Sequence, residues 1–139
     1  MRRRPGPGGD AGFTLVELLV VMIIIGILAA IAVPVFLNQR TKAHDAGLQS
    51  DLRTIALSEE TYYTDHETYL AVSATATPTI IDSIALTPGA VAGVELNSTG
   101  QAFCVRITSD RASRPRVHVS SRGGLQPVGV STCPAPATY

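Results

Sequence analysis

Glu17 is the residue whose chemistry most needs an explanation, because it stands alone in an apolar segment. Residues 13–37 contain no other charged side chain. A carboxylate in a membrane-spanning helix costs about 2.5–3.5 kcal/mol on the milder insertion scales, and such groups are usually paired and functional. A secretory signal peptide, with Ala30 and Ala32 in a small-x-small cleavage site, gives Glu17 no purpose. A plain membrane anchor gives it none either. The sequence therefore predicts a positively charged partner for Glu17.

The two cysteines of the chain, Cys104 and Cys133, belong to no CxxC or Cys/His pattern typical of a zinc site. Two lone cysteines that follow an apolar export segment favour a disulfide over two free thiols. Closing the loop between them would stabilise the folded chain by about 3–4 kcal/mol in the chain-entropy description. We therefore predict a disulfide between these cysteines and an oxidising, extracytoplasmic location.

Charge is unevenly distributed along the chain, although its net charge is zero. Residues 43–100 are mainly acidic, and residues 101–139 carry five arginines against a single acidic residue. Arg111, Arg114 and Arg116 could form a patch that binds DNA or another anion. No aromatic side chains alternate with them. We therefore favour a solvated face, or a face that meets the acidic region of a neighbouring copy.

The sequence shows no pattern typical of an enzyme or a metal site. His44, His66 and His118 are far apart, and no HExxH, EF-hand or GxSxG motif occurs. The acidic stretch around residues 65–67 is more typical of a solvated helix end than of a metal ligand set. We therefore predict no catalytic residue, no cofactor and no metal.

Two segments match patterns of covalent modification. Asn97 begins an Asn-Ser-Thr sequon, and residues 73–79 are rich in Ser, Thr and Pro. A turn that contains Asn and Gly needs no sugar to explain it. We therefore do not favour glycosylation at either segment.

The N-terminal part of the chain divides into a leader and an apolar helix. Residues 1–12 are basic and then rich in Gly and Pro, which is typical of a cleaved leader held on the cytoplasmic side. Residues 13–37 predict a helix that, at about 1.5 Å per residue, is long enough to cross about 30 Å of hydrocarbon. Within it, Gly26 weakens the helix and Pro34 predicts a kink or break.

The remaining chain predicts an α+β head. Residues 38–70 predict an amphipathic helix outside the membrane. Its apolar stripe comprises Leu48, Leu52, Ile55, Ala56, Tyr62 and Tyr63. Residues 71–139 predict a small antiparallel sheet that packs against this helix, with Val117 and Val119 facing the core. The predicted strands are residues 91–96, 102–108 and 116–120.

The N-terminal segment resembles the leader junction and first helix of type IV pilins and related pseudopilins. The resemblance rests on GFTLVE at residues 12–17, followed by LLVVMIIIGILAAIAVPVFL at residues 18–37. It implies cleavage between Gly12 and Phe13 and N-methylation of Phe13. It also implies an assembly role for Glu17, whose carboxylate would meet the new α-amine of a neighbouring subunit and set the register between them.

The same resemblance has implications for the filament and its partners. It implies that the helix can unwind between Gly26 and Pro34, and that Cys104 and Cys133 close a loop of the head. The implied partners are further copies of the chain, a prepilin peptidase, a cytoplasmic assembly ATPase and an inner-membrane platform protein. The chain would sit in the membrane with its head outside the cytoplasm, and then enter an extracellular filament.

The implied function is structural, as a pilus subunit in adhesion, motility or DNA uptake. Two alternatives stay open. One is a pseudopilin of a type II secretion or competence apparatus, and the other is a DNA-binding minor pilin.

Overall fold

The computed structural model describes residues 12–72 and 84–139, which form the predicted α+β fold. A long helix, α1, is followed by a four-stranded antiparallel sheet. The elements are α1 Leu15–His66, β1 Ala90–Leu96, β2 Phe103–Ser109, β3 Arg116–Val119 and β4 Gly124–Leu125, with 3₁₀ helices at Ser120–Arg122 and Pro136–Thr138. Residues 1–11, which belong to the predicted leader 1–12, and residues 73–83 lie outside the described residues. Contacts divide the chain into two units, Met1–Leu37 and Asn38–Tyr139.

The first unit contains the apolar part of α1. The helix runs through Gly26 and Pro34 without ending. A break at Pro34 is therefore absent from the single chain, while the kink that the proline also predicts stays a prediction. Every side chain of residues 13–37 is exposed. Among the described residues, α1 is the one helix long and apolar enough to cross a membrane.

The core of the second unit lies between α1 and one face of the sheet. Leu48, Leu52 and Ile55 of α1 are fully buried, as their helical spacing predicts. They pack in one cluster with the sheet residues Ala92, Val94, Phe103, Val105 and Ile107. Each fully buried aliphatic or aromatic side chain contributes about 1.5–3 kcal/mol by leaving water. This cluster is therefore the main source of stability in the head.

The sheet is a meander of strand order β1-β2-β3-β4. Cys104 of β2 lies directly opposite Val119 of β3, and opposite residues share a face of a sheet. Cys104 alternates with the core residues of β2, so Val119 and Val117 lie on the face away from α1. Both valines are buried, as predicted, but not in the core against the helix. They are buried in a second cluster, packed against Cys133 and Tyr139 of the C-terminal segment.

Acidic side chains of α1 hold three loops of the head by accepting hydrogen bonds from backbone amides. The pairs are Asp45 Oδ1 with Ser113 N at 2.9 Å, Asp51 Oδ2 with Thr87 N at 2.8 Å and Glu59 Oε2 with Leu70 N at 3.0 Å. Hydrogen bonds to an ionised carboxylate are stronger than neutral ones. Some of the acidic side chains in residues 43–100 thus form hydrogen bonds within the head.

Glu59 is fully buried, and only one of its carboxylate oxygens has a partner among the described residues. Burial raises the pKa of Glu59 above its usual 4.5; the amide of Leu70 opposes the rise and the charge of Glu60 adds to it. A raised folded-state pKa means that the ionised form destabilises the fold. The favourable contribution of protonated Glu59 to folding stability is therefore full below the unfolded-state pKa. It is lost as pH rises through the folded-state pKa.

We expect Glu59→Gln to flatten the dependence of head stability on pH. Glutamine cannot ionise, while its side-chain oxygen can still accept the Leu70 amide, so the loss of stability as pH rises above the unfolded-state pKa of Glu59 should disappear. The measurement is denaturant unfolding of the full-length chain in detergent, followed by near-ultraviolet circular dichroism of the tyrosines. The matched control is Asp65→Asn, which removes an exposed carboxylate from the same helix. Identical pH profiles for wild type and Glu59→Gln would contradict this account.

Candidate functional site

The start of α1 holds Thr14 and Glu17 against each other. Because α1 begins at Leu15, Thr14 is the N-cap residue and Glu17 is the third helical residue. Thr14 donates to Glu17 Oε2 from its amide at 3.0 Å and from its hydroxyl at 2.8 Å. Glu17 N in turn donates to Thr14 Oγ1 at 3.2 Å. This reciprocal arrangement is a capping box, which satisfies amides that the first turn of a helix leaves unpaired.

Among the residues that the structure describes, the capping box leaves the charge of Glu17 without a cation of its own. Thr14 supplies dipoles, and the helix start supplies only a partial positive charge. The side chains of Phe13 and Glu17 are exposed, Phe13 to 89%. If the chain is cut after Gly12, the α-amine of Phe13 lies about one helical turn from Glu17. This helix end would then offer one positive and one negative group to apolar neighbours.

The predicted disulfide is present and joins Cys104 of β2 to Cys133, with Cα atoms 5.8 Å apart. It fastens the C-terminal segment over the sheet face that points away from α1. A second attachment lies nearby, because Asn97 Nδ2 donates to the carbonyl of Tyr139 at 3.0 Å. The disulfide thus completes the cover of the second hydrophobic cluster.

The predicted basic patch keeps only two of its three arginines at the surface. Arg111 and Arg114 are exposed, but Arg116 is buried, and its Nη2 lies 3.7 Å from Asp45 Oδ2. Burial tends to raise the pKa of Asp45, but hydrogen bonds from Ser113 and the charge of Arg116 hold that pKa below its usual value. Arg116 therefore attaches the start of β3 to α1, which removes it from the anion-binding patch that the sequence analysis considered but did not favour.

The side chain of Asn97 is engaged within its turn. Its Oδ1 accepts the amides of Gln101 at 2.9 Å and Ala102 at 3.1 Å, while its Nδ2 donates to Tyr139. A sugar on Nδ2 would disturb the attachment of the C-terminal segment. The geometry therefore favours an unmodified Asn97, and the Ser/Thr/Pro-rich residues 73–79 lie outside the described residues.

The histidines are separate from one another. His66 stacks on Tyr62 with ring centroids 3.9 Å apart, and His118 stacks on Phe103 at 5.7 Å. In residues 12–72 and 84–139, no group of three or more His, Cys, Asp or Glu side chains could hold a metal ion. These two histidines therefore serve in aromatic packing.

Comparison with known proteins bears first on the N-terminal segment. Residues 8–33 match the family model described as the prokaryotic N-terminal methylation motif. The chain is also 32% identical over 94 residues to the type IV wide pilus major component of Thermus thermophilus, which covers 68% of the chain and 70% of that protein. The chain belongs to the type IV pilin and pseudopilin family. It is a pilin-like subunit of a filament, with an apolar helix suited to membrane anchoring.

Two further relatives match this pilin-family chain over shorter stretches. The type IV major pilin protein of Myxococcus xanthus is 34% identical over 60 residues, which is 43% of the chain and 27% of that protein. The type II secretion system core protein G of Pseudomonas aeruginosa is 37% identical over 60 residues, which is 43% of the chain and 42% of that protein. The chain thus spans less than half the length of these two relatives, which support the family and leave the particular role open.

Sequence reasoning missed the capping box and the acidic attachments of the head, although both left a signal. Thr14 followed three residues later by Glu17 is the capping-box spacing at the start of an apolar run. Asp51 and Glu59 lie on or beside the apolar stripe of α1, where a carboxylate must find a hydrogen-bond donor if it is buried. Both patterns were visible, but the loop amides that pair with the carboxylates could be identified only from the folded chain.

Proposed function

We propose that this chain is the repeating subunit of a type IV surface pilus and that its mature form begins at Phe13. The observation that carries the proposal is the alignment with the pilus major component of Thermus thermophilus. At 94 residues, the alignment is longer than the whole chain up to the end of α1 at His66, so it includes part of the head. A likeness limited to the apolar helix would support every member of the family equally.

The proposed assembly depends on two charges that an apolar bundle disfavours. A prepilin peptidase would cut between Gly12 and Phe13, which frees an α-amine that is then methylated. Glu17 of one subunit and the amine of its neighbour each carry a large desolvation cost when unpaired. Both costs fall when the two helices pack at an axial offset that brings the groups together. The pair thus sets the axial register between neighbouring subunits during assembly.

The exposed apolar surface of residues 13–37 needs apolar surroundings both before and after assembly. In the membrane this surface faces lipid, and in the filament it would face the same surface of other copies. Burial in the filament core offsets the cost of leaving the lipid. Identical head-to-tail contacts generate an open helical polymer. A cytoplasmic assembly ATPase and an inner-membrane platform protein would supply the work of extraction.

Immunogold labelling of filaments sheared from cells tests this role. An antibody against the head should decorate the filaments along their whole length, and deletion of the gene should remove both filaments and label. Label at filament tips alone, or intact filaments without the gene, would contradict the repeating-subunit role.

A pseudopilin of a type II secretion apparatus is the second candidate. The 37% identity to the type II secretion core protein G favours it. In that case the processed chain should stay in the membrane fraction, and deletion of the gene should block export of secreted enzymes without removing surface filaments.

A further inference from the structure

One end of the head carries basic side chains. Hydrogen bonds from the amide and hydroxyl of Ser113 to Asp45, at 2.9 and 2.5 Å, place the β2–β3 loop beside the N-terminal part of the head helix. Four exposed cations lie at this end, which we call the basic end: Arg40, Lys42, Arg111 and Arg114. Asp110 lies in the same loop, and Asp45 is already engaged by Ser113 and Arg116.

The opposite end of the head carries acidic side chains. Tyr63 donates to Gln101 Oε1 at 2.8 Å, which places the β1–β2 turn beside the C-terminal end of α1. Three exposed carboxylates lie in or directly after the last two turns of α1, which we call the acidic end: Glu60, Asp65 and Glu67. Arg122 follows β3 at the same end of the sheet, and its Nη2 donates to the carbonyl of Thr138 at 2.8 Å.

The acidic end is unfavourable for the isolated subunit. The C-terminus of a helix carries partial negative charge, so carboxylates there are disfavoured and cations are favoured. Glu67 has a φ of 57°, a left-handed conformation that glycine or asparagine adopts more readily after a helix. The chain therefore holds negative charge where its own helix disfavours it, and a cationic partner would relieve this cost.

The basic end contains a cleft that suits a carboxylate. Its volume is about 340 Å³, and it lies between α1 and the β2–β3 loop. The lining residues are Asn38, Thr41, Lys42, Asp45 and Ser113. Lys42 is exposed here, while Asp45 accepts hydrogen bonds from Ser113 and is paired with Arg116. The cleft thus combines an available cation with polar walls.

We propose that the acidic end of one subunit docks against the basic end of another in the filament, with Asp65 or Glu67 entering the cleft beside Lys42. This inference rests on the proposed filament function. Lys42 and Asp65 are about 35 Å apart along α1, so the docked copies are displaced along the axis by about that distance. The Glu17–Phe13 pair requires an offset of only about 6 Å. The two contacts therefore join a subunit to different neighbours.

Zero-length carbodiimide crosslinking of wild-type sheared filaments tests this contact without any substitution. Lys42 is the only lysine of the chain, so each lysine crosslink is unambiguous by mass spectrometry. We expect Lys42 joined to Asp65 or Glu67, which must be a link between subunits because those groups are too far apart within one chain. Lys42 joined to Asp45 of the same chain is the internal control. Formation of the control product without any link to the acidic end would overturn the proposal.

Charge reversal and charge exchange give an independent test. We expect Lys42→Glu with Arg114→Glu, and separately Asp65→Lys with Glu67→Lys, to lower the yield of sheared filaments about tenfold, since like charges facing each other cost about one kcal/mol or more. The four substitutions together should restore the yield to within about twofold of wild type. Arg53→Glu, an exposed charge midway along the head helix, is the matched control and should assemble normally.

The outcomes separate this inference from the proposed function. The variant with reversed charges at the basic end and the variant with reversed charges at the acidic end are each compared with wild type. Normal filaments from both variants would overturn the docking contact while leaving the pilus-subunit role intact. A wild-type chain that forms no filaments at all would overturn the pilus-subunit role, and the docking contact with it. Loss of filaments without rescue by charge exchange would also overturn the docking contact.

Discussion

Glu17→Gln is expected to abolish filaments while leaving the processed chain in the membrane. In this variant the α-amine of a neighbouring Phe13 would enter the apolar bundle without a counter-charge. An unpaired charge in such surroundings costs about 2.5–3.5 kcal/mol even on the milder scales, or about a hundredfold in each subunit contact. Repeated over a polymer, this penalty predicts near-complete loss of sheared filaments.

The capping box sharpens this experiment, because Gln and Glu are both suitable third residues of a capping box. Glu17→Gln therefore removes the charge and retains the cap. Thr14→Ala is the complementary control, since it removes the capping hydroxyl and retains the carboxylate, at a cost of about 1 kcal/mol to the helix start. We expect Thr14→Ala to form filaments at reduced yield.

Filament yield in sheared fractions and chain level in membranes, both by immunoblot, measure the effect. Assembly of Glu17→Gln at wild-type yield would contradict the register role of the charge. Equal failure of Thr14→Ala and Glu17→Gln would assign the effect to the helix start instead.

Replacing Cys104 and Cys133 together by Ser is expected to destabilise the head by about 2–5 kcal/mol, the usual cost of losing a native disulfide in a small secreted domain. The disulfide constrains the unfolded chain, and it also holds the C-terminal segment over Val117 and Val119. Without it, these buried valines would be exposed to water whenever that segment detached. The free energy lost should therefore include a contribution from apolar exposure.

Denaturant unfolding of the detergent-solubilised chain, with limited proteolysis of the C-terminal segment, measures both effects. The variant should unfold at lower denaturant and lose residues beyond Leu125 early. The matched control is Val128→Ser, an exposed position in the same segment, which should behave as wild type. A double Cys variant with wild-type stability would show that the remaining contacts, such as Asn97 with Tyr139, suffice to hold the segment.

The long helix and the main strands could be predicted from the sequence because their signals are local. The apolar stripe at Leu48, Leu52 and Ile55 has the spacing of a helix, and β2 alternates as a half-buried strand does. The facing of β3 could not be predicted in the same way. Its valines alternate correctly, but which side they take depends on register with β2 and on a C-terminal segment that covers the far face.

In the candidate site, too, some residues could be identified from the local sequence, and others only from contacts between distant parts of the chain. Glu17 and Phe13 stand out because a lone charge in an apolar run is unusual at any position. Arg116 could not be assigned from sequence, since its partner Asp45 lies on α1 and the two meet only through the folded head. The effect of Pro34 is predicted from its intrinsic cost to a helix, and α1 nevertheless continues past it in the single chain.

N-terminal sequencing with intact mass of the chain in sheared surface filaments tests the central claim most directly. The account predicts a chain that begins at Phe13, with the mass of one added methyl group. A chain that begins at Val33, as cleavage by a signal peptidase after Ala32 would produce, would contradict it, because residues 13–32 and the Glu17 carboxylate would then be missing from the product.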